Sequence, residues 1–143
     1  MQKRKVLFLC TGNSCRSQMA EAIVNARLGE TWQAFSAGTK PAGYVHPKAI
    51  TALAEIGIHH AGDSKGVDAV RAIDFDLVIT VCDSAVEECP VWLGQGKRIH
   101  HSFPDPAVTD NMDDFRKVRD DIERVIIDIL RSHEQGLMER LER

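Results

Sequence analysis

The first apolar run of the chain ends in a polar turn. The run Lys5-Val-Leu-Phe-Leu9 is followed by polar residues around Gly12. A short apolar run bounded by a turn is typical of a parallel strand that is buried on both faces. Beyond the turn, apolar residues recur at helical spacing from Ser17 to Leu28. The pattern therefore predicts a strand, a turn and a helix in direct succession.

Further runs of both kinds follow along the chain. Apolar or β-branched runs predict three more strands, at residues 33–36, 75–81 and 97–103. Apolar residues at helical spacing predict two more helices, at residues 47–57 and 115–130. Strands that alternate with helices form right-handed β-α-β units, which enclose a parallel sheet between helices. We therefore expect an α/β fold in a single domain of residues 1–143.

Composition and charge narrow the functional classes. The chain has 143 residues, of which 43% are hydrophobic, so it can bury a core. Its formal net charge of -3 argues against a nucleic-acid-binding surface. The first apolar run is too short for a signal peptide or a membrane span. We therefore expect a cytoplasmic protein that binds neither membranes nor nucleic acids, with thiols that are normally reduced.

The turn after the first strand carries the segment Cys10-Thr-Gly-Asn-Ser-Cys-Arg16-Ser17. It stands where open α/β sheets bind ligands, at the carboxyl ends of the strands. Backbone amides of such a loop, together with a helix N-terminus, can surround a tetrahedral oxyanion. The candidate oxyanion-binding residues are Thr11, Gly12, Asn13, Ser14, Cys15, Arg16 and Ser17.

Three residues of this loop have individual chemical tasks. Arg16 can hold two oxygens of the anion and stabilise charge in the transition state. The positive surroundings favour a thiolate at Cys10, which makes it the candidate nucleophile. Ser17 can donate a hydrogen bond to that thiolate, and Asn13 is suited to a left-handed backbone turn. A bare Cys-x5-Arg match also arises by chance, but the strand before it and the helix after it favour the functional interpretation.

A carboxylate is expected opposite the nucleophile. Asp105 follows the last predicted strand within Ser102-Phe-Pro-Asp-Pro106, so it should emerge on the same edge of the sheet as Cys10. Asp105 is therefore the candidate general acid, although a turn or cap role is the alternative.

Together these segments resemble the low-molecular-weight protein tyrosine phosphatase superfamily, and specifically its thioredoxin-coupled arsenate reductase branch. The resemblance covers nearly the whole chain. It rests on the Cys10–Ser17 loop, the Ser36-Ala-Gly38 stretch, Cys82 with Cys89, and Asp105-Pro106. It implies a four-stranded parallel sheet of order 2-1-3-4 that is flanked by helices.

The resemblance also implies a mechanism for arsenate reduction. Cys10 attacks arsenate while Asp105 protonates the departing oxygen. Cys82 then attacks Cys10 and releases arsenite, and Cys89 converts the Cys10–Cys82 disulfide into Cys82–Cys89, which thioredoxin reduces. Cys82 and Cys89 are seven residues apart. On a helix that spacing is roughly 10 Å, beyond the roughly 7 Å Cα separation of a disulfide, so their segment must unwind.

Other functions remain open at this point. The anion loop alone does not separate arsenate from phosphate, so a low-molecular-weight protein tyrosine phosphatase is one alternative. Ala107-Val-Thr109 stands where such phosphatases usually carry aromatic residues, but weak hydrolysis of aryl phosphates is still expected. A non-enzymatic thiol redox sensor is another alternative. Inert buried thiols at Cys82 and Cys89, or a zinc site built from the four cysteines, are the structural alternatives to a relay.

Potassium is the one bound ion that the resemblance raises. Some relatives bind it beside the loop, and Asn13, Glu21 and Ser36 match that pattern. Lys65 is expected near the same position, where its ammonium could replace the ion. We expect no other bound cofactor or metal, and we expect a monomer.

Overall fold

A computed structural model of the chain describes residues 2–83, 92 and 94–141. Strands and helices alternate along it, as predicted. The elements are β1 (Arg4–Cys10), α1 (Arg16–Arg27), β2 (Trp32–Gly38), α2 (Pro47–Glu55), β3 (Leu77–Thr80), β4 (Lys97–His100) and α3 (Met112–Leu141). The strands form one parallel sheet in the order β2-β1-β3-β4, which confirms the predicted fold class and strand order.

The ends of several elements differ from the prediction. β3 and β4 are shorter than the predicted runs 75–81 and 97–103, although backbone hydrogen bonds continue beyond their ends. Val81 N–H, for example, donates to Leu9 C=O at 2.9 Å, and Val81 C=O accepts from Phe103 N–H at 3.2 Å. α3 runs on to Leu141, beyond the apolar stripe from which it was predicted. α2 begins with Pro47 and is followed by Gly57 at φ 81°, as the sequence predicted.

The central strand β1 is buried on both faces. Val6 and Phe8 lie in a core cluster with apolar residues of α1 and α3. Leu7 and Leu9 face the other side, in a second cluster that includes Phe75. Burying a large apolar side chain contributes about 1.5–3 kcal/mol, so β1 is held firmly from both sides. None of the described helices is long and apolar enough to cross a membrane.

Candidate active site

The loop between β1 and α1 is held with its carbonyl groups turned outward. The backbone of segment 40–46 accounts for this, because its amides donate to three of those carbonyls. The acceptors are Thr11, Gly12 and Ser14, at 2.9, 2.9 and 3.0 Å. Among the described residues, the amides of Gly12, Asn13, Ser14 and Cys15 donate to no protein acceptor. These amides are therefore available to an oxyanion.

The end of β2 lies tightly against this loop. Gly38 is paired with Cys10 in the parallel register. A Cβ atom at Gly38 would lie 2.4 Å from Thr11 C=O oxygen and 2.9 Å from that of Cys10. Since backbone atoms cannot yield as a flexible side chain does, the close approach requires glycine.

The sulfur of Cys10 lies beside a serine hydroxyl. Cys10 is 2% exposed, and its Sγ is 2.8 Å from Ser17 Oγ, a hydrogen bond in which either atom can donate. Asn13 Nδ2 donates to the same Ser17 oxygen at 2.8 Å. Ser17 therefore keeps its own hydroxyl hydrogen available for the sulfur. Asn13 has a φ of 47°, the left-handed conformation that the sequence predicted.

A second layer of buried polar groups fixes Asn13. Its Oδ1 accepts from Gln18 Nε2 and from the Lys65 amide, both at 2.9 Å. Gln18 also donates to Asp63 C=O at 2.9 Å, and its Oε1 lies 2.7 Å from His60 Nε2. Burial and the nearby Lys65 lower the pKa of His60, which keeps its ring neutral. The sequence analysis identified neither Gln18 nor His60 as a residue of the site.

Arg16 and Asp105 face each other across a small cavity. Arg16 is 3% exposed and donates to Phe103 C=O at 3.2 Å. Its other terminal nitrogen lies 3.8 Å from Asp105 Oδ2, while Asp105 Oδ1 accepts from the Ala107 amide at 3.0 Å. The cavity, about 190 Å³ in volume, is lined by Cys10, Gly12, Ser14, Cys15, Arg16, Ala42, Tyr44, His46, Asp105 and Ala107. The structure thus brings the predicted nucleophile, arginine and acid together.

The second cysteine of the loop has different chemistry. Cys10 and Cys15 are both free cysteines. Burial raises the pKa of Cys15 to about 12, with further contributions from Asp105 and Cys10. Cys15 is therefore a protonated thiol at neutral pH and contributes its backbone amide rather than a nucleophile.

Cys82 lies two residues beyond Thr80, the last residue of β3 that pairs with β1. Val81 N–H donates to Leu9 C=O at 2.9 Å, so the chain carries Cys82 alongside the end of β1 where Cys10 stands. Cys82 is 0% exposed and belongs to the same core cluster as Cys10. Cys89, with residues 84–88 of the segment that joins it to Cys82, lies outside the described residues.

The residues that match a potassium site are already engaged with protein groups. Ser36 donates to Glu21 Oε1 at 3.1 Å, and the Lys65 ammonium lies 3.8 Å from the same oxygen. Burial raises the pKa of Glu21, and Lys65 and Ser36 counteract this effect. Asn13 Oδ1 is occupied by two donors. These residues do not fit a potassium ion, because a cation stands beside the carboxylate already. The described residues contain no group of three or more His, Cys, Asp or Glu that could hold a metal.

Comparison with known proteins agrees with this arrangement. Residues 5–141 match the model of the low molecular weight phosphotyrosine protein phosphatase family. Arsenate reductase 1 of Staphylococcus epidermidis is 43% identical over 129 residues, which cover 88% of this chain and 95% of that protein. The structure of an arsenate reductase in a phosphate-binding state is 31% identical with a TM-score of 0.79, and the match covers 90% of this chain and 98% of the other.

A second similar structure is that of a thioredoxin-dependent arsenate reductase of Corynebacterium glutamicum. It is 27% identical with a TM-score of 0.71, and the match covers 94% of this chain and 63% of that one. The family match spans nearly the whole chain, and the site contains the loop, arginine and carboxylate that the sequence predicted. The chain therefore belongs to the low molecular weight phosphotyrosine protein phosphatase family and groups there with arsenate reductases.

Proposed function

We propose that the protein reduces arsenate to arsenite as part of arsenic detoxification, with thioredoxin as the electron donor. The observation that carries the proposal is the small cavity in which a buried cysteine sulfur, a buried arginine and a carboxylate meet. The 43% identity to an arsenate reductase supports arsenate as the substrate. The name of the Corynebacterium relative supports thioredoxin as the reductant.

The first step is nucleophilic attack at arsenic. The Cys10 thiolate forms an As–S bond while the bond from arsenic to one hydroxyl group breaks, and this hydroxyl takes a proton from Asp105 and leaves as water. Arg16 and the loop amides hold the remaining oxygens and stabilise the charge that develops on them. The 2.8 Å contact between Cys10 Sγ and Ser17 Oγ supports this role for Cys10, because the serine hydroxyl can donate a hydrogen bond to the attacking sulfur.

The next steps move the oxidation from arsenic to sulfur. The Cys82 thiolate attacks Cys10 Sγ, and the As–S electron pair stays on arsenic, which leaves as arsenite. Cys89 then attacks Cys82 and releases the Cys10 thiolate, which leaves a Cys82–Cys89 disulfide for thioredoxin to reduce. The location of Cys82 directly beyond the β1–β3 pairing supports its meeting with Cys10.

The test is arsenite production in the presence of thioredoxin, thioredoxin reductase and NADPH. We expect steady turnover, with one NADPH oxidised for each arsenite formed. Cys10→Ser should form no arsenite. Cys89→Ser should release about one arsenite per enzyme and then stop, because the Cys10–Cys82 disulfide is not resolved. Loss of all arsenite formation in Cys89→Ser, with turnover retained in Cys10→Ser, would overturn the assigned roles.

A phosphatase is the second candidate function. The family match and the complete set of Cys10, Arg16 and Asp105 favour it. We expect weak hydrolysis of p-nitrophenyl phosphate beside arsenate reduction. Hydrolysis without any arsenite formation would identify a phosphatase instead. Oxidation of the thiols in stoichiometric amount only, without turnover of either substrate, would indicate a redox sensor.

A further inference from the structure

His46 connects the anion loop to the start of α2. Its backbone amide donates to Ser14 C=O at 3.0 Å, and its ring lines the oxyanion cavity. Its Nδ1 accepts a hydrogen bond from the Lys48 amide at 3.1 Å. Because Nδ1 is an acceptor there, the hydrogen of the neutral ring is on Nε2. The free end of the ring is therefore a donor.

The Nε2 end of the ring lies near the far end of the loop that carries the candidate acid. His46 Nε2 is 3.4 Å from Asp110 Oδ1, and Lys48 Nζ donates to the same oxygen at 2.7 Å. Phe115, which is fully buried, packs against the His46 ring with 4.7 Å between ring centroids. Two groups at the start of α2 therefore lie beside one carboxylate, one as a hydrogen-bond donor and the other as a supported ring.

Asp110 in turn closes the loop that begins at Asp105. The Asp110 amide donates to Pro106 C=O at 3.1 Å, and the Ala107 amide donates to Asp105 Oδ1 at 3.0 Å. Asp110 has a φ of 54°, a conformation that aspartate tolerates better than most residues. The loop is therefore a compact turn with the candidate acid at one end and the held carboxylate at the other.

We propose that His46, Lys48 and Asp110 form a clamp that positions Asp105 over the anion loop, and this inference rests on the proposed role of Asp105 as general acid. The clamp connects the start of α2 to the loop of residues 105–110. The Asp110 carboxylate is 59% exposed, so its ion pair with Lys48 contributes little to stability. The clamp instead keeps Asp105 aligned with the substrate. When a reacting group is displaced by a fraction of an ångström, the reaction slows while substrate binding is retained.

Two substitutions of Asp110 distinguish the alignment of Asp105 from the effects of backbone strain and of a lost charge at residue 110. Asp110→Gly removes the carboxylate but adopts the positive φ without strain. Asp110→Asn keeps an oxygen acceptor for Lys48 and His46 and also tolerates the left-handed conformation. Asp113→Asn is the matched control, because Asp113 is an exposed carboxylate three residues away that pairs with Arg116 on α3.

We expect Asp110→Gly to lower kcat for arsenite formation about fivefold, with KM changed less than about twofold. Asp110→Asn should recover at least half of the loss, and Asp113→Asn should match the parent protein. The loss should be larger for phenyl phosphate than for p-nitrophenyl phosphate, since the poorer leaving group depends more on protonation. Equal kcat in Asp110→Gly and Asp113→Asn, or an equal loss for both phosphate esters, would overturn the clamp.

Two measurements distinguish failure of the clamp proposal from failure of the proposed function. If the parent protein forms no arsenite, the proposed function fails, and the two aryl phosphates still decide the clamp. Amide hydrogen exchange provides a readout that needs no turnover. The Asp110 amide, which donates to Pro106, should exchange faster in Asp110→Gly and at the parent rate in Asp113→Asn. Unchanged exchange in Asp110→Gly would also overturn the clamp.

Discussion

Replacing Gly38 by alanine should distort the anion loop from outside. The new Cβ would lie 2.4 Å from Thr11 C=O oxygen, 2.9 Å from that of Cys10 and 3.0 Å from Asn13 N. All three are backbone atoms, so the loop or the end of β2 must move by about 1 Å to reach an ordinary van der Waals distance. Overpacking of this kind costs about 1–3 kcal/mol of unfolding free energy.

Gly38→Ala should also lower the catalytic rate. A displacement of about 1 Å at a reacting group can lower the rate about 100-fold, because the attacking sulfur and the stabilising amides lose their alignment. We expect kcat for arsenite formation to fall between tenfold and 100-fold. The affinity for inorganic phosphate, followed by isothermal titration calorimetry, should weaken in parallel, since the same amides hold both anions.

Gly66→Ala is the matched control for this prediction. Gly66 forms an isolated bridge with Gly38, but a Cβ atom there would meet its nearest neighbours only at 3.9 Å. The same added methyl group should therefore leave phosphate affinity and kcat close to their parent values. If Gly38→Ala retained the parent kcat, phosphate affinity and urea unfolding midpoint, the requirement for glycine at this contact would be wrong.

Four further results are expected. Ser17→Ala should slow alkylation of Cys10 by iodoacetamide at pH 7 at least tenfold, because a hydrogen bond to a charged group contributes about 1.5–3 kcal/mol. An unchanged alkylation rate would contradict the contact between Ser17 Oγ and Cys10 Sγ. Iodoacetamide at pH 7 should label Cys10 and spare Cys15, whose pKa is raised to about 12, and peptide mass mapping would detect the reverse. Since burial raises the pKa of Glu21, the parent protein should gain unfolding free energy relative to Glu21→Gln as the pH falls from 7 towards 4.5. The opposite trend in urea unfolding would refute the raised pKa. Replacing potassium chloride by choline chloride should leave the rate of arsenite formation unchanged, because the Lys65 ammonium already stands beside the Glu21 carboxylate.

The fold was predictable because local pattern and topology agree. A continuous apolar run such as 5–9 indicates a strand buried on both faces, and short connections leave few arrangements of a parallel sheet. Element ends were less predictable. α3 continues past residue 130 to Leu141 although its apolar stripe has ended. The pattern of apolar residues therefore does not show where the helix ends.

The candidate site was predictable where its residues are consecutive or follow a strand. Cys10, Arg16 and Asp105 could be placed at one sheet edge from the order of elements alone. Gln18 and His60 could not, since their contact joins residues 42 positions apart and depends on how two loops pack. His46 was missed for the same reason, because its partner Asp110 lies far along the chain.

The outward carbonyl groups of the anion loop have a consequence for selectivity. The backbone of segment 40–46 holds them in place before any ligand arrives, so the pocket is preorganised by main-chain hydrogen bonds. A receptor built from peptide groups offers the same dipoles to any tetrahedral anion of suitable size. Discrimination between arsenic and phosphorus must then arise after binding, in whether the central atom can accept an electron pair when its bond to sulfur breaks.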